Sequence, residues 1–407
     1  MDTPPLSEDL LKLDGYATKA TAAKARGIPG AINLAFGEPD FGPAPGVRQV
    51  IEEQDLNWDA FMQSSKSYEQ SRGMLELRAA VADYYARRYG LVVDPEQEIL
   101  ITHGGVEAIS LAALVTSSAG DDILITDPTY MLYQRAIRTL GRNPICLTRQ
   151  CGDHEYAELN ILTSAAKKSR ALIVNSPENP SGYVASQTDF SALASVAEKN
   201  DLWVIHDEVY DSMAFARPHI PARSVSGLEN RSILINSFSK KYGVPGLRIG
   251  WLCAPPAVID LAAKLHDFMY LGVNALSERF ALRMISDAAA DHWMDDEALM
   301  LKKRAKTLSE VLTPEKGFTW PRAPQGGMFA FPSTTTLAQA LPPETVGGRS
   351  LGAGAVAAGY LLTQKKIVSM PGHVYGPSSA DCIRLILCSS DEVFEKGVNA
   401  LKELPNI

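Results

Sequence analysis

Short apolar runs alternate with amphipathic stretches through the first two thirds of the chain. The runs at Ile99–Thr102, 122–126, 171–175, 202–206, Ser232–Ser237 and 249–253 predict strands. Near-continuous apolar runs of this length suit a sheet covered on both faces. Between them, apolar positions at helical spacing over 106–117 and 189–200 predict helices. Strands alternating with helices imply an α/β architecture, a mostly parallel sheet between two helical layers. In such sheets ligands gather at the carboxyl ends of the strands.

After about residue 285 the pattern changes to long polar helical stretches such as 291–312. A Pro/Gly-rich segment follows at 321–332, and shorter elements end in an apolar run at 382–388. This change divides the chain into a large domain over 46–285 and a smaller α/β domain over 286–407. The N-terminal segment, 1–45, is expected to join the smaller domain.

A chain of 407 residues exceeds one ordinary core, in keeping with two domains. Hydrophobic content of 46% with 21% charged residues is that of a globular protein. The net charge of -8 argues against nucleic acid as the main partner, which would require a basic face. Residues 1–13 carry three acidic side chains and no apolar core, unlike a signal or transit peptide, and no run approaches a membrane span. The five cysteines (146, 151, 253, 382 and 388) are odd in number and show no CxxC spacing, which points to reduced thiols in the cytoplasm. The seven histidines show no metal-ligand spacing, so no metal is expected.

Three blocks carry candidate chemistry. The first is Ser237-Phe-Ser-Lys-Lys-Tyr-Gly-Val-Pro-Gly-Leu-Arg-Ile-Gly-Trp251, in which hydroxyls, two lysines and an arginine follow a strand. Read alone, a Lys-Lys pair in a turn is a solvated surface feature. The second block is Asn175-Ser-Pro-Glu-Asn-Pro-Ser-Gly182 with His206-Asp-Glu-Val-Tyr210, placing Asn179 and Asp207 28 residues apart. Alone, these are a turn and an acidic strand end. The third is Thr102-His-Gly-Gly-Val-Glu-Ala108, where a strand gives way to a helix. It is an ordinary strand-to-helix turn or a phosphate cradle, since glycines and free N–H groups suit an anion.

Together and in this order, the blocks resemble the SxSKxxxxxGxRxG, NPxG and DExY elements of the fold-type I pyridoxal-phosphate-dependent aminotransferases, class I/II. The resemblance implies pyridoxal 5'-phosphate as cofactor, attached through a Schiff base to Lys240 and not to Lys241. It implies Arg248, Ser237, Gly104, Gly105 and Val106 at the phosphate, and Tyr130 of Asp127-Pro-Thr-Tyr130 stacked on the ring. Asp207 would pair with the pyridine nitrogen, because the ring withdraws electrons only while that nitrogen stays protonated. Asn179 and Tyr210 would reach the phenolic oxygen. The N-terminal run 32–41 is similar to the family's substrate strand, with Gly37 near the substrate. Arg384, in Cys382-Ile-Arg-Leu-Ile-Leu387, would bind the α-carboxylate as a fork. Tyr68, before Ser71-Arg-Gly73, is similar to the tyrosine that completes a partner subunit's phosphate site, which implies a homodimer with shared active sites. Glu69, where a small hydroxyl residue is more usual, and the irregular stretch 59–67 depart from the pattern near the active-site entrance.

The implied reaction moves an amino group from an amino acid to a 2-oxo acid in two halves. Lyases and cyclising synthases on the same scaffold need the same Lys240, Asp207 and Arg384, so they stand as the alternative. A DNA-binding regulator would need a domain ahead of residue 32. Dicarboxylate-specific relatives use a second arginine in a stretch corresponding to 265–277. Here that stretch offers Phe268, Met269 and Tyr270, with His266 as the cationic exception, so a neutral or aromatic donor is expected.

Overall fold

The structure, a computed structural model, describes the chain except residues 1–5, 8–10, 12–14, 16, 49–57, 67, 158–164 and 343–347. The segments expected at 1–45, 46–285 and 286–407 each include residues outside this set. Residue 67, at the end of the stretch expected to be irregular, also lies outside it, whereas Trp58–Ser65 is an α-helix.

The first strand, β1 (Ile32–Asn33), stands apart from the central sheet. That sheet comprises β2 (Ile99–Thr102), β3 (Asp122–Asp127), β4 (Asn143–Thr148), β5 (Ser169–Asn175), β6 (Trp203–Asp207), β7 (Ser232–Ser237) and β8 (Gly250–Cys253), in the order β2-β8-β7-β6-β5-β3-β4. Strand β8 runs antiparallel to both β2 and β7, whereas β7, β6, β5, β3 and β4 pair in parallel. Strand β4 escaped the sequence pattern because it is half exposed at the sheet edge and contains Pro144, which an edge strand tolerates.

Side chains alternate across the sheet. Leu100, Ile123, Ile125, Ile205 and Ile235 face a core shared with helices Gly105–Thr116 and Pro256–Tyr270. Ile99, Ile101, Leu124, Val204 and Leu234 face the opposite core, shared with helices Leu75–Tyr89 and Gln187–Asn200. With both faces buried, period-two alternation disappears from the sequence and leaves the continuous runs that predicted the strands.

A further core joins β9 (Phe329–Ala330), β10 (Ile367–Val368) and β12 (Ile383–Ile386) with helices Ala290–Val311 and Asp391–Lys402, while β11 (Met370–Pro371) pairs with β12 and packs Met370 into a smaller neighbouring cluster. Strand β1 pairs with β10 in parallel, and Leu34 packs into this core, so the N-terminal strand sits with C-terminal elements. Arg384, on β12, faces Met370 of β11 across the ladder.

Candidate active site

Parallel strands bring their last residues together. Asn175, Asp207 and Ser237 terminate β5, β6 and β7, three adjacent strands, with Asn175 opposite Asp207 in the register. The Asn175 amide donates to the Asp207 carbonyl (3.0 Å), and its side-chain oxygen accepts from the Asn179 N–H (2.8 Å). One asparagine thus ties the 175–182 turn to the end of β6. All these residues line a cavity of about 560 Å³.

Asp207 is 3% exposed. Burial pushes its carboxyl up to about 6, against a hydrogen bond from Tyr133 and one from the Val209 N–H that favour the carboxylate. Tyr133 Oη donates to Oδ2 at 2.5 Å, and its ring meets Tyr130 edge-on, both rings lining the cavity. Sequence reading selected Tyr130 and passed over Tyr133. Tyr130 precedes helix Leu132–Thr139, and the turn into that helix, closed by the Tyr133 N–H donating to the Tyr130 carbonyl (3.1 Å), brings the second ring to the cavity.

Lys240 lies in the single helical turn Phe238–Lys241 after β7 and points its Nζ into the cavity, donating to the Gly37 carbonyl (2.7 Å). Burial lowers the affinity of its amine for a proton, and the Arg384 and Arg248 guanidinia add to the effect. Cys388 and Glu38 act in the opposite sense.

Helix Gly105–Thr116 opens toward the cavity after Gly104, whose φ is +77°. A Cβ on Gly104 would lie 3.0 Å from Arg248 Nη2, and one on Gly250 would lie 2.6 Å from the Asn236 carbonyl and 2.9 Å from the Gly104 carbonyl carbon. Only hydrogen fits at Gly250, and a side chain at Gly104 would crowd the Arg248 guanidinium, so the loop and Arg248 lie close together. Arg248 itself is held at φ +53°, a conformation that costs a non-glycine residue energy and marks a constrained site. Ser237 Oγ caps the next turn by accepting from the Ser239 N–H (3.1 Å) and donates to Ser239 Oγ (2.9 Å).

Arg384 closes the cavity from the other core. Its Nη1 donates to Asn179 Oδ1 (2.8 Å) and its Nη2 to the Ala35 carbonyl (2.6 Å), while its Nε is buried without a hydrogen-bond partner. Phe329 and Tyr375 hold the guanidinium by cation–π contact, at 4.4 and 5.1 Å to the ring centroids. Tyr210 packs edge-on against the same Phe329.

The fold therefore brings Gly37, Gly105, Val106, Tyr130, Asn179, Asp207, Tyr210, Ser237, Lys240, Arg248 and Arg384 to one cavity, with Gly104 beside it. Tyr68 is elsewhere, 79% exposed on the surface. Phe268, Met269 and Tyr270, which sequence reading set in place of a second arginine, are also on the surface and do not line the cavity of this chain. His266 is fully buried against Glu107 (2.6 Å), away from the cavity lining. The structure also adds a cluster that spacing did not signal: His206, Glu208 and His219 bring ligand-type atoms within 4.8 Å of one another. These atoms are already engaged, since His206 Nδ1 accepts from the Ala222 N–H (3.2 Å) and His219 Nε2 meets Glu208 Oε2 (3.0 Å).

The donor set fits pyridoxal phosphate. A helix N-terminus, two serine hydroxyls and an arginine suit a phosphate. A buried carboxylate suits a pyridinium, and a half-buried amine of lowered basicity suits covalent attachment.

A family model described as aminotransferase class I and II matches residues 29–401. A probable N-succinyldiaminopimelate aminotransferase of Mycobacterium tuberculosis is 30% identical, the match covering 97% of this chain and 98% of that protein. An arginine–pyruvate transaminase of Pseudomonas aeruginosa is 29% identical over 86% of this chain and 84% of its own. The solved structure of N-succinyldiaminopimelate aminotransferase from Mycobacterium tuberculosis superposes with a TM-score of 0.84 at 25% identity, covering 98% of this chain and all 100% of that one.

The ionisation of Asp207 carries a pH dependence. A carboxyl raised to about 6 is neutral below that pH and cannot pair with a pyridinium. Affinity of the apoprotein for pyridoxal phosphate is therefore expected to fall as pH drops through about 6. Tyr133→Phe removes a donor that favours the carboxylate, and should move that midpoint upward by about one unit, equivalent to about 1.4 kcal/mol. Fluorescence titrations of the apoprotein at a series of pH values test this; an unmoved midpoint would detach Tyr133 from Asp207.

Proposed function

The chain belongs to the aminotransferase class I and II family and is a pyridoxal-phosphate-dependent transaminase; on that premise we propose that it takes a neutral or aromatic L-amino acid as donor and a 2-oxo acid as acceptor, with Lys240 as the covalent anchor. The observation that carries this reading is the convergence of a half-buried amine, a buried carboxylate and a pre-oriented arginine on one cavity. Bound pyridoxal phosphate supplies an electron sink for the substrate's α-carbon. Gly104, Gly105, Val106, Ser237 and Arg248 would hold its phosphate, Tyr130 its ring face, Asp207 its pyridine nitrogen, and Asn179 with Tyr210 its phenolic oxygen.

The remaining work falls to the chain's own side chains. Arg384 binds the substrate α-carboxylate as a fork, which arrives on a guanidinium whose plane Phe329 and Tyr375 have already set. Lys240 Nζ takes the proton from the substrate α-carbon, which requires a neutral amine, and burial shifts it in that direction. Among the described residues, the cations lining the cavity are Lys240, Arg248 and Arg384, each with a role above. Phe36, Tyr130 and Phe329 supply aromatic wall. A substrate side-chain carboxylate would find no further cation there, and an unpaired buried charge costs several kcal/mol.

We read the molecule as a homodimer with shared active sites, and the large and small domains as 46–285 and 286–407 with 1–45 joining the latter. Support for the dimer comes from an exposed apolar face formed by Tyr68, Phe268 (88% exposed), Met269, Tyr270 and Leu271. A Cβ on Gly272 would lie 3.3 Å from the Glu69 carbonyl, so the two segments share one patch. Val106 is exposed and also lines the cavity, where Tyr68 of a partner would complete the phosphate site. No described helix is long and apolar enough to cross a membrane. All five cysteines are unpaired, which supports a reducing, cytoplasmic setting.

Lys240→Ala is expected to abolish turnover and borohydride-trapped cofactor, whereas Lys241→Ala should keep the label at residue 240. Peptide mapping checks the register, and a label on Lys241 would refute it. Sedimentation of the holoenzyme should give a dimer, and an active monomer would remove both the shared site and the role of Tyr68. Steady-state kinetics with alanine, leucine, phenylalanine, aspartate and glutamate should give higher kcat/KM for the neutral or aromatic donors. Aspartate or glutamate winning by about tenfold, about 1.4 kcal/mol, would show another cation in the pocket.

A further inference from the structure

Four cavity-lining residues at or just beyond the ends of β6 and β7 have a sequence neighbour buried on the other side. Glu208 follows Asp207, Asp211 follows Tyr210, Asn236 precedes Ser237 and Lys241 follows Lys240. These four neighbours meet behind the cavity in a buried polar layer against helix Leu75–Tyr89.

Lys241 is the cation of that layer. Its Nζ lies 2.6 Å from Asp211 Oδ1, with both side chains fully buried, and donates to Tyr84 Oη at 3.2 Å. It also sits over the rings of Tyr84 (4.5 Å) and Trp251 (4.8 Å). Asp211 Oδ2 accepts from Tyr84 (2.8 Å), Tyr89 (3.0 Å) and the Asn236 amide (3.1 Å). Glu208 Oε1 accepts from Tyr85 (2.6 Å), whose oxygen in turn accepts from the Trp251 indole (3.0 Å). Against the cost of burial, the Lys241 ammonium holds the Asp211 carboxyl below its ordinary range.

The Lys-Lys pair is therefore neither a solvated turn nor a choice between two equivalent amines. One lysine faces the cavity, and the other is locked into a buried ion pair. Helix Phe238–Lys241 spans a single turn, and beyond it the Tyr242 and Gly243 N–H groups make only long bonds, 3.3 Å to Phe238 and 3.2 Å to Lys240. So short a helix cannot hold its own register. We propose that Lys241 is a positioning residue for the reaction at Lys240: its ion pair with Asp211 fixes the turn from which Lys240 projects and, through the same bond, the position of Tyr210. Small displacements matter here because Lys240 must reach the reacting carbon, and a misplacement near 1 Å costs up to about a hundredfold in rate.

The proposal rests on the reading that Lys240 carries the cofactor. Its test compares Lys241→Met, Asp211→Asn and the paired variant as holoenzymes. Either single change leaves a buried charge unpartnered and can unfold the protein. The paired variant removes both charges at similar volume, so it decides the matter if a single variant fails to fold. The paired variant is expected to melt close to the wild type and to keep borohydride-trapped cofactor at residue 240. It should lose about ten- to hundredfold in kcat with little change in the KM for the amino donor. The circular-dichroism band of its bound cofactor should change amplitude as the anchor reorients. A folded paired variant with wild-type kcat and an unchanged band would overturn the proposal and reduce the ion pair to a structural feature. Wild-type protein that traps no cofactor at Lys240 would instead overturn the underlying reading, and this one with it.

Discussion

Taking the Asp207 carboxylate out of water at the end of β6 raises its affinity for a proton, so it stays ionised near neutral pH only while donors and cations face it. Much of the surrounding structure answers that constraint. Tyr133 and the Val209 N–H donate to it, and the Lys240 amine approaches from the next strand. The parallel sheet makes this possible, because adjacent strands running the same way deliver their last residues to one edge. The same burial that raises Asp207 lowers Lys240, so one desolvated cavity prepares an acid and a base in opposite senses.

The cavity has two layers: Asn236 and Ser237 alternate within β7, while Glu208, Asp211 and Lys241 turn back from the segments that follow β6 and β7. Residues facing forward carry the chemistry, and their immediate neighbours face back into a network of tyrosines, carboxylates and one lysine. Buried polar groups are costly unless each finds a partner, and here the partners come from helix Leu75–Tyr89, more than a hundred residues away in sequence. Arg384 is treated differently. It comes from the other core, and aromatic faces with two acceptors set its plane and leave Nε without a partner. A guanidinium so held offers its fork without first losing rotamer freedom.

The sequence by itself determined six of the seven strands of the central sheet and the order of the motifs, while the resemblance implied that those motifs share one site. Apolar runs at 99–102 and Ser232–Ser237 predicted covered strands, and candidate chemical residues follow them at the strand ends. The choice of Lys240 over Lys241 came from the resemblance of the motif to a family, since the residues read alone offered only a solvated Lys-Lys pair. What the sequence could not determine was direction. Whether Lys241 points to water or to Asp211, whether Tyr133 turns toward a carboxylate 74 residues away, and whether Phe268 to Tyr270 line a pocket or a surface all depend on the partner that packing supplies. Strand β4 was missed for a related reason, since an edge strand is half solvated and loses the apolar run that marks its neighbours. Local pattern records which residues must be buried. Only the tertiary structure decides which buried polar groups meet, because each hydrogen bond or ion pair needs two atoms brought together from distant parts of the chain.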